Sequence, residues 1–197
     1  PFPVEPIPAL RKAFRQSIAE ICEHAGANGL TILLEPLNCY EGLPGVLTTV
    51  YEAMHYCDEL GFDNLGIQPD IYHMNIEEGS ILDAVRAAGP RIKHFHLNET
   101  NHGFHGSGHG DYQGVMRILK AIGYDGYLAT YLPQISQEIL QSAPDSVTYA
   151  TTPKSATDAA RPDLQAVLEQ MLTFLKSVEK AVDTSRDFYE VGGFRGD

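Results

Sequence analysis

The sequence is poor in positive charge. Lys and Arg number 14 against 26 Asp and Glu, a formal net charge of -12, and a surface of that sign repels phosphate backbones and anionic lipid. No nucleic-acid partner and no membrane partner are expected. The sequence also lacks any apolar run near the roughly 20 residues of a membrane span, and its first residues carry neither the basic nor the apolar region of a secretory signal. Cysteine is scarce. Cys22, Cys39 and Cys57 are odd in number and have no short repeat spacing, which describes reduced thiols in the cytoplasm rather than a disulfide framework. The first residue is Pro1, not Met, and the proline-rich start reads like the middle of a longer protein.

What is there is an ordinary globular composition, 43% hydrophobic and 20% charged over 197 residues, enough for a single domain over 1–197. Phe14, Ile18, Ile21, Cys22 and Ala25 recur at helical spacing and predict a helix over 9–25, ended by Gly26 and Gly29. Leu30-Thr31-Ile32-Leu33-Leu34 is a short apolar run suited to a strand buried on both faces, with Glu35 at its end. The unit repeats. Leu47, Val50, Met54 and Cys57 give a helix and Leu65-Gly66-Ile67 a strand leading to Asp70. Ile81 and Val85 give the next helix before Gly89-Pro90, and the strand from Ile92 to Leu97 carries His96. Val115, Ile118, Leu119 and Ile122 precede a strand over 126–132, and Leu164, Val167, Leu168, Met171, Leu172, Leu175 and Val178 mark a long amphipathic helix. The Ser-, Thr- and Asp-rich stretch over 133–162 is longer than an ordinary connection and predicts an irregular loop, with one helical turn around 136–141.

Alternating helices and short apolar strands describe an α/β chain with a parallel sheet and right-handed crossovers. A flavodoxin-like sheet fits that alternation as well as a barrel does. The strand ends separate them: Glu35, Asp70 and His96 follow three successive strands, and no glycine-rich phosphate fingerprint follows any, so a (β/α)8 TIM barrel is preferred. Two carboxylates and an imidazole converging above such a barrel suit Mn2+, Co2+, Mg2+ or Zn2+, with positions left for water or substrate.

The segments Leu34-Glu35-Pro36-Leu37-Asn38, Asp70 to Glu78 and His94-Phe95-His96-Leu97-Asn98-Glu99-Thr100-Asn101 resemble the ketose 3-epimerases and related sugar isomerases with the xylose-isomerase-like barrel. The resemblance runs over about 9–132 and begins at the helix before the fifth barrel strand, so this chain would supply the last four units of the barrel. It implies a divalent metal, Mn2+ first, on Glu35, Asp70 and His96. Glu35 would also move the proton, while His73 and Glu41 would hold substrate oxygens. The sequence departs from that family twice. The family's last strand ends in a second glutamate, and the corresponding place here is Tyr131 or, by a different count, Thr130. The arginine expected six residues after the ligand histidine is His102, a changed substrate contact.

These residues predict a metal-dependent sugar isomerase or epimerase that acts on a small sugar or polyol through an enediolate. Related enolate chemistry on a keto-sugar, such as deglycosylation, is a near alternative, and a non-catalytic barrel subunit with a degenerate site is another. A nuclease of the endonuclease IV type shares the barrel, but the acidic chain opposes it. The loop over 102–111 adds three histidines and four glycines, read as a mobile substrate loop with Asp111 capping the next helix. Four strands leave two open edges. An N-terminal half-barrel, as another chain or a missing segment, is expected to cover them, and an oligomer is possible.

Overall fold

The computed structural model describes residues 7–42, 44–131 and 164–184. The first helix, α1 (Ile7–Ala27), buries Ile18, Cys22 and Ala25 on one face, the i, i+4, i+7 stripe expected of an amphipathic helix. Gly29 then turns the chain at φ 68°, a left-handed conformation that costs glycine nothing. Strand β1 (Ile32–Leu34) follows, and Glu35 stands immediately beyond it.

Helix α2 (Val50–Leu60) begins later than its apolar spacing suggests, because Thr49 and Glu52 form a reciprocal capping box that leaves Leu47 outside. It ends at Gly61, at φ 66°, whose N–H donates to the Cys57 carbonyl. Strand β2 (Leu65–Ile67) is wholly buried. A helix absent from the sequence reading comes next: α3 (Ile71–Glu77) starts at Asp70, whose side chain caps it by accepting the Tyr72 N–H. Its seven residues are too few to show a helical period.

Helix α4 (Ile81–Ala88) is capped by Ser80 and runs into one 3-10 turn, Gly89–Arg91. Strand β3 (His94–His96) and helix α5 (Tyr112–Ala121) follow, with Asp111 at the N-cap as its position suggests. Strand β4 (Tyr127–Ala129) and the long helix α6 (Leu164–Thr184) complete the described elements. The expected loop and its helical turn at 136–141 lie outside the described residues, as does Leu43.

Among the described residues, all strand pairings are parallel. Strands β1 and β2 pair from Ile32–Leu65 to Leu34–Ile67, and β3 and β4 from His94–Tyr127 to His96–Ala129. Single parallel bridges at Ile67–Ile92 and Asp70–His96 join the two pairs, so four strands stand side by side in chain order. Strands β1, β3 and β4 are each shorter than the apolar run that contains them, whereas β2 matches its run Leu65–Ile67. The core lies between this sheet and the helices, with Ile67, Ile71, Val85, Phe95, Leu97 and Val115 almost fully buried. The outer strand β4 is different: Tyr127 is 82% and Leu128 45% exposed.

Candidate metal and substrate site

The Asp70–His96 bridge and the end of β1 bring three polar side chains to one point. His96 Nδ1 lies 2.9 Å from Glu35 Oε1 and 3.4 Å from Asp70 Oδ2. Both carboxylates are held from behind. Gln68 Nε2 donates to Glu35 Oε2 at 3.0 Å, and Asn98 Nδ2 donates to Asp70 Oδ2 at 2.6 Å, while the Tyr72 N–H donates to Asp70 Oδ1 at 2.8 Å. Asp70 is completely buried, so its charge requires such partners. Gln68 and Asn98 were not singled out in the sequence. Each stands two residues from a candidate ligand, and the two-residue period of a strand puts both on the ligand face.

The site demands positive charge. Burial works against the charged form of His96, yet its hydrogen bonds to Asp70 and Glu35 outweigh that and push its pKa up to about 9. A divalent cation answers the same demand, and two carboxylates with one imidazole are a fitting donor set. Ligand atoms of Glu35, Asp70 and His73 also lie within 4.8 Å of one another, which makes His73 a second candidate. Its hydrogen bonds set it apart. His73 Nδ1 accepts from the Asn38 N–H at 3.2 Å and faces Asn38 Nδ2 at 2.8 Å, so the ring proton sits on Nε2, a donor suited to a substrate oxygen rather than a metal.

The remaining candidates surround this point. The Tyr131 hydroxyl is 3.2 Å from His96 Nδ1, whereas Thr130 Oγ1 turns to Asn98 Oδ1 and His105 Nε2. Of the two counts of the strand end, the one on Tyr131 reaches the site. Burial, then Glu35 and Asp70, raises the Tyr131 pKa, which keeps the phenol protonated. Glu41 is exposed and accepts from the Tyr72 hydroxyl at 2.8 Å. His102 stacks on Tyr72 with ring centroids 3.4 Å apart. Its Nε2 is buried without a partner, and burial lowers its pKa. The sequence reading passed over Tyr72, which joins Glu41 and His102.

The three loop histidines part company. His105 donates from Nε2 to the Leu97 carbonyl at 2.6 Å, and His109 bonds Thr100 and Asn75, so they form no cluster with His102. The glycines serve close approach. A Cβ on Gly106 would lie 2.8 Å from Phe174, and one on Gly108 would lie 2.5 Å from Glu99 Oε1.

A family model described as xylose isomerase-like TIM barrel matches residues 3–146. The chain belongs to that family. Within this barrel family it is similar to the ketose 3-epimerase of Arthrobacter globiformis, 34% identical over 112 residues that cover 57% of this chain and 38% of that protein. It is also similar to the hydroxypyruvate isomerase of Escherichia coli, 31% identical over 55% of this chain and 43% of the other. Among solved structures, the D-allulose 3-epimerase of Methylomonas sp. in complex with D-allulose matches at a TM-score of 0.66 and 28% identity, covering 85% of this chain and 55% of that one. The chain therefore spans about half or less of the length of these relatives. The four parallel strands are a partial barrel.

Proposed function

We propose that this chain carries the metal-binding half of a sugar isomerase or epimerase that works through an enediolate. The observation that carries the reading is the convergence of Glu35, Asp70 and His96 on one point, each carboxylate oriented by a side-chain amide, Gln68 for Glu35 and the buried Asn98 for Asp70. Glu35, Asp70 and His96 would hold a divalent ion, Mn2+ first and Co2+, Mg2+ or Zn2+ by the same chemistry. When bound, such an ion would supply positive charge that favours loss of the proton beside the substrate carbonyl.

The chain's own residues supply the rest. Glu35 takes the proton from the carbon beside the substrate carbonyl, and the Gln68 amide fixes its other oxygen so that the carboxylate keeps one orientation. His73 Nε2–H holds a substrate oxygen, and Glu41 and His102 line the approach beside Tyr72. Tyr131 stands with its hydroxyl at the same His96 nitrogen that faces Glu35 and Asp70, as a protonated phenol. It donates but does not abstract. A proton moved by one base on one face interconverts an aldose and a ketose, whereas inversion at one carbon calls for a second group on the opposite face. The site therefore supports aldose–ketose isomerisation better than epimerisation. Three free thiols fit a reducing, cytoplasmic setting. Among the described residues, no helix is long and apolar enough to cross a membrane.

The test is incubation of the protein with ketoses and aldoses in D2O, with Mn2+ and after chelation. Metal-dependent deuterium incorporation beside the carbonyl is expected. Stoichiometric Mn2+ with no exchange for any sugar would overturn the catalytic reading and leave a barrel subunit with an idle metal site.

A further inference from the structure

Glu99 is a carboxylate outside the candidate ligand set, in the loop after β3, and it is almost completely buried, at 1% exposure. Its oxygens accept the Thr100 N–H at 2.8 Å, the Thr100 hydroxyl at 3.1 Å, the Gly106 N–H at 2.8 Å and the Gly110 N–H at 3.3 Å. Its backbone carbonyl accepts the His102 N–H at 2.9 Å. One residue thus gathers both ends and the middle of the loop that follows β3. Gly108 sits so close that a Cβ there would lie 2.5 Å from both Glu99 Oε1 and Thr100 Oγ1.

The gathered loop is fastened to α3. Thr100 Oγ1 accepts the His109 N–H at 3.2 Å, and His109 Nε2 lies 3.0 Å from Asn75 Oδ1 on that helix. At the loop's other corner His102 is, among the described residues, the one non-glycine with positive φ, at 53°. A side chain tolerates that conformation only where its surroundings fix it. The outcome is the His102 ring flat on Tyr72, its Nε2 buried and unpartnered.

We infer that Glu99 is a positioning residue: its carboxylate winds the loop over 100–110 so that His102 Nε2 is held beside Tyr72 to bond a hydroxyl of a polyol substrate. The inference rests on the proposed sugar chemistry for the identity of that ligand, but the geometry it assigns to His102 does not. A carboxylate is required rather than a shape. An amide in its place would turn an NH2 toward N–H donors, whichever oxygen it replaced. Burial disfavours the charged form of Glu99, and the N–H groups of Thr100 and Gly106 outweigh burial and lower its pKa, so it stays ionised in the loop.

The experiment pairs two variants that attack the same contact from opposite sides, Glu99→Gln and Gly108→Ala, with the protein otherwise as it exists. NMR of the His102 ring reports its stacking on Tyr72 as an upfield shift, and titration with Mn2+ alone reports the metal site. Both variants are expected to lose the upfield shift and keep Mn2+ affinity. KM for whichever aldose or ketose turns over should rise about tenfold with kcat changed less, the loss of one well-made hydrogen bond to substrate. Retention of the upfield shift in both variants overturns the inference, as does loss of Mn2+ affinity together with the shift, which would mean general disorder. A wild type that shows the shift yet binds no Mn2+ and moves no sugar proton defeats the proposed function. In that case loss of the shift in both variants still supports the positioning role of Glu99.

Discussion

Asp70 has both oxygens occupied: one caps α3 through the Tyr72 N–H, and the other takes the Asn98 amide and faces His96 Nδ1. The same side chain therefore starts a helix and points a lone pair into the site. Asp70→Ala and His96→Ala are each expected to weaken Mn2+ binding by more than about 100-fold, because outer partners alone are worth 10–100-fold. Wild-type metal content in either purified variant, measured by elemental analysis, would exclude that ligand set. Asn98→Ala touches no ligand position but frees the Asp70 oxygen, and a loss of about tenfold in Mn2+ affinity is expected by calorimetry. Tyr131→Glu puts a carboxylate beside His96, where the phenol now lies 3.2 Å away. Tighter Mn2+ binding is the expected result, and unchanged affinity would show that the β4 end does not serve the metal.

At the scale of elements, short strands and well-made caps carry the architecture. The Thr49–Glu52 capping box satisfies reciprocal backbone donors at the start of α2, and Thr49→Ala should cost about 1 kcal/mol in denaturant unfolding. No change in midpoint would place the stability of α2 in its packing alone. The loop after β3 gives a pH dependence whose sign is fixed by Glu99. Its folded pKa lies below the ordinary 4.5, so its contribution to stability is present above the unfolded value and is lost as pH falls through the lower folded one. The stability gap between wild type and Glu99→Gln should accordingly be wide at pH 7 and close toward pH 3 in urea titrations. A gap independent of pH would mean that the ionised form does not hold the loop. The glycines there also let backbone pack against Glu99 and Phe174.

At the scale of the molecule, four parallel strands do not close a barrel. Tyr127 and Leu128 on the outer strand are exposed, and so are Leu168 and Leu172 on α6, an edge and a face that soluble proteins ordinarily cover. The matched regions are 38% and 55% of the lengths of two of the relatives. A first half-barrel, as a preceding segment or a separate chain, is therefore expected to pair with β1 and β4. Intact mass with size-exclusion chromatography checks this: a well-folded monomer of the 21.7 kDa chain with no second polypeptide would count against it. Two copies of this chain are disfavoured because two acidic sites would crowd one barrel mouth. Much of this was legible in the residues themselves. Hydrophobic period and glycine stops located the helices and strands to within a few residues, since burial on one face imposes them whatever the fold, and the polar strand ends Glu35, Asp70 and His96 stood out against apolar runs. Helix α3 did not, because one capping side chain and two turns leave no period. Nor did sequence decide between Thr130 and Tyr131, or reveal Tyr72, Glu99 and the different hydrogen bonds of His73 and His96. The site contacts depend on which side of a strand faces which neighbour across 28 to 61 residues of chain, which only the packed sheet sets, and the Glu99 contacts depend on how the loop after β3 winds back on itself.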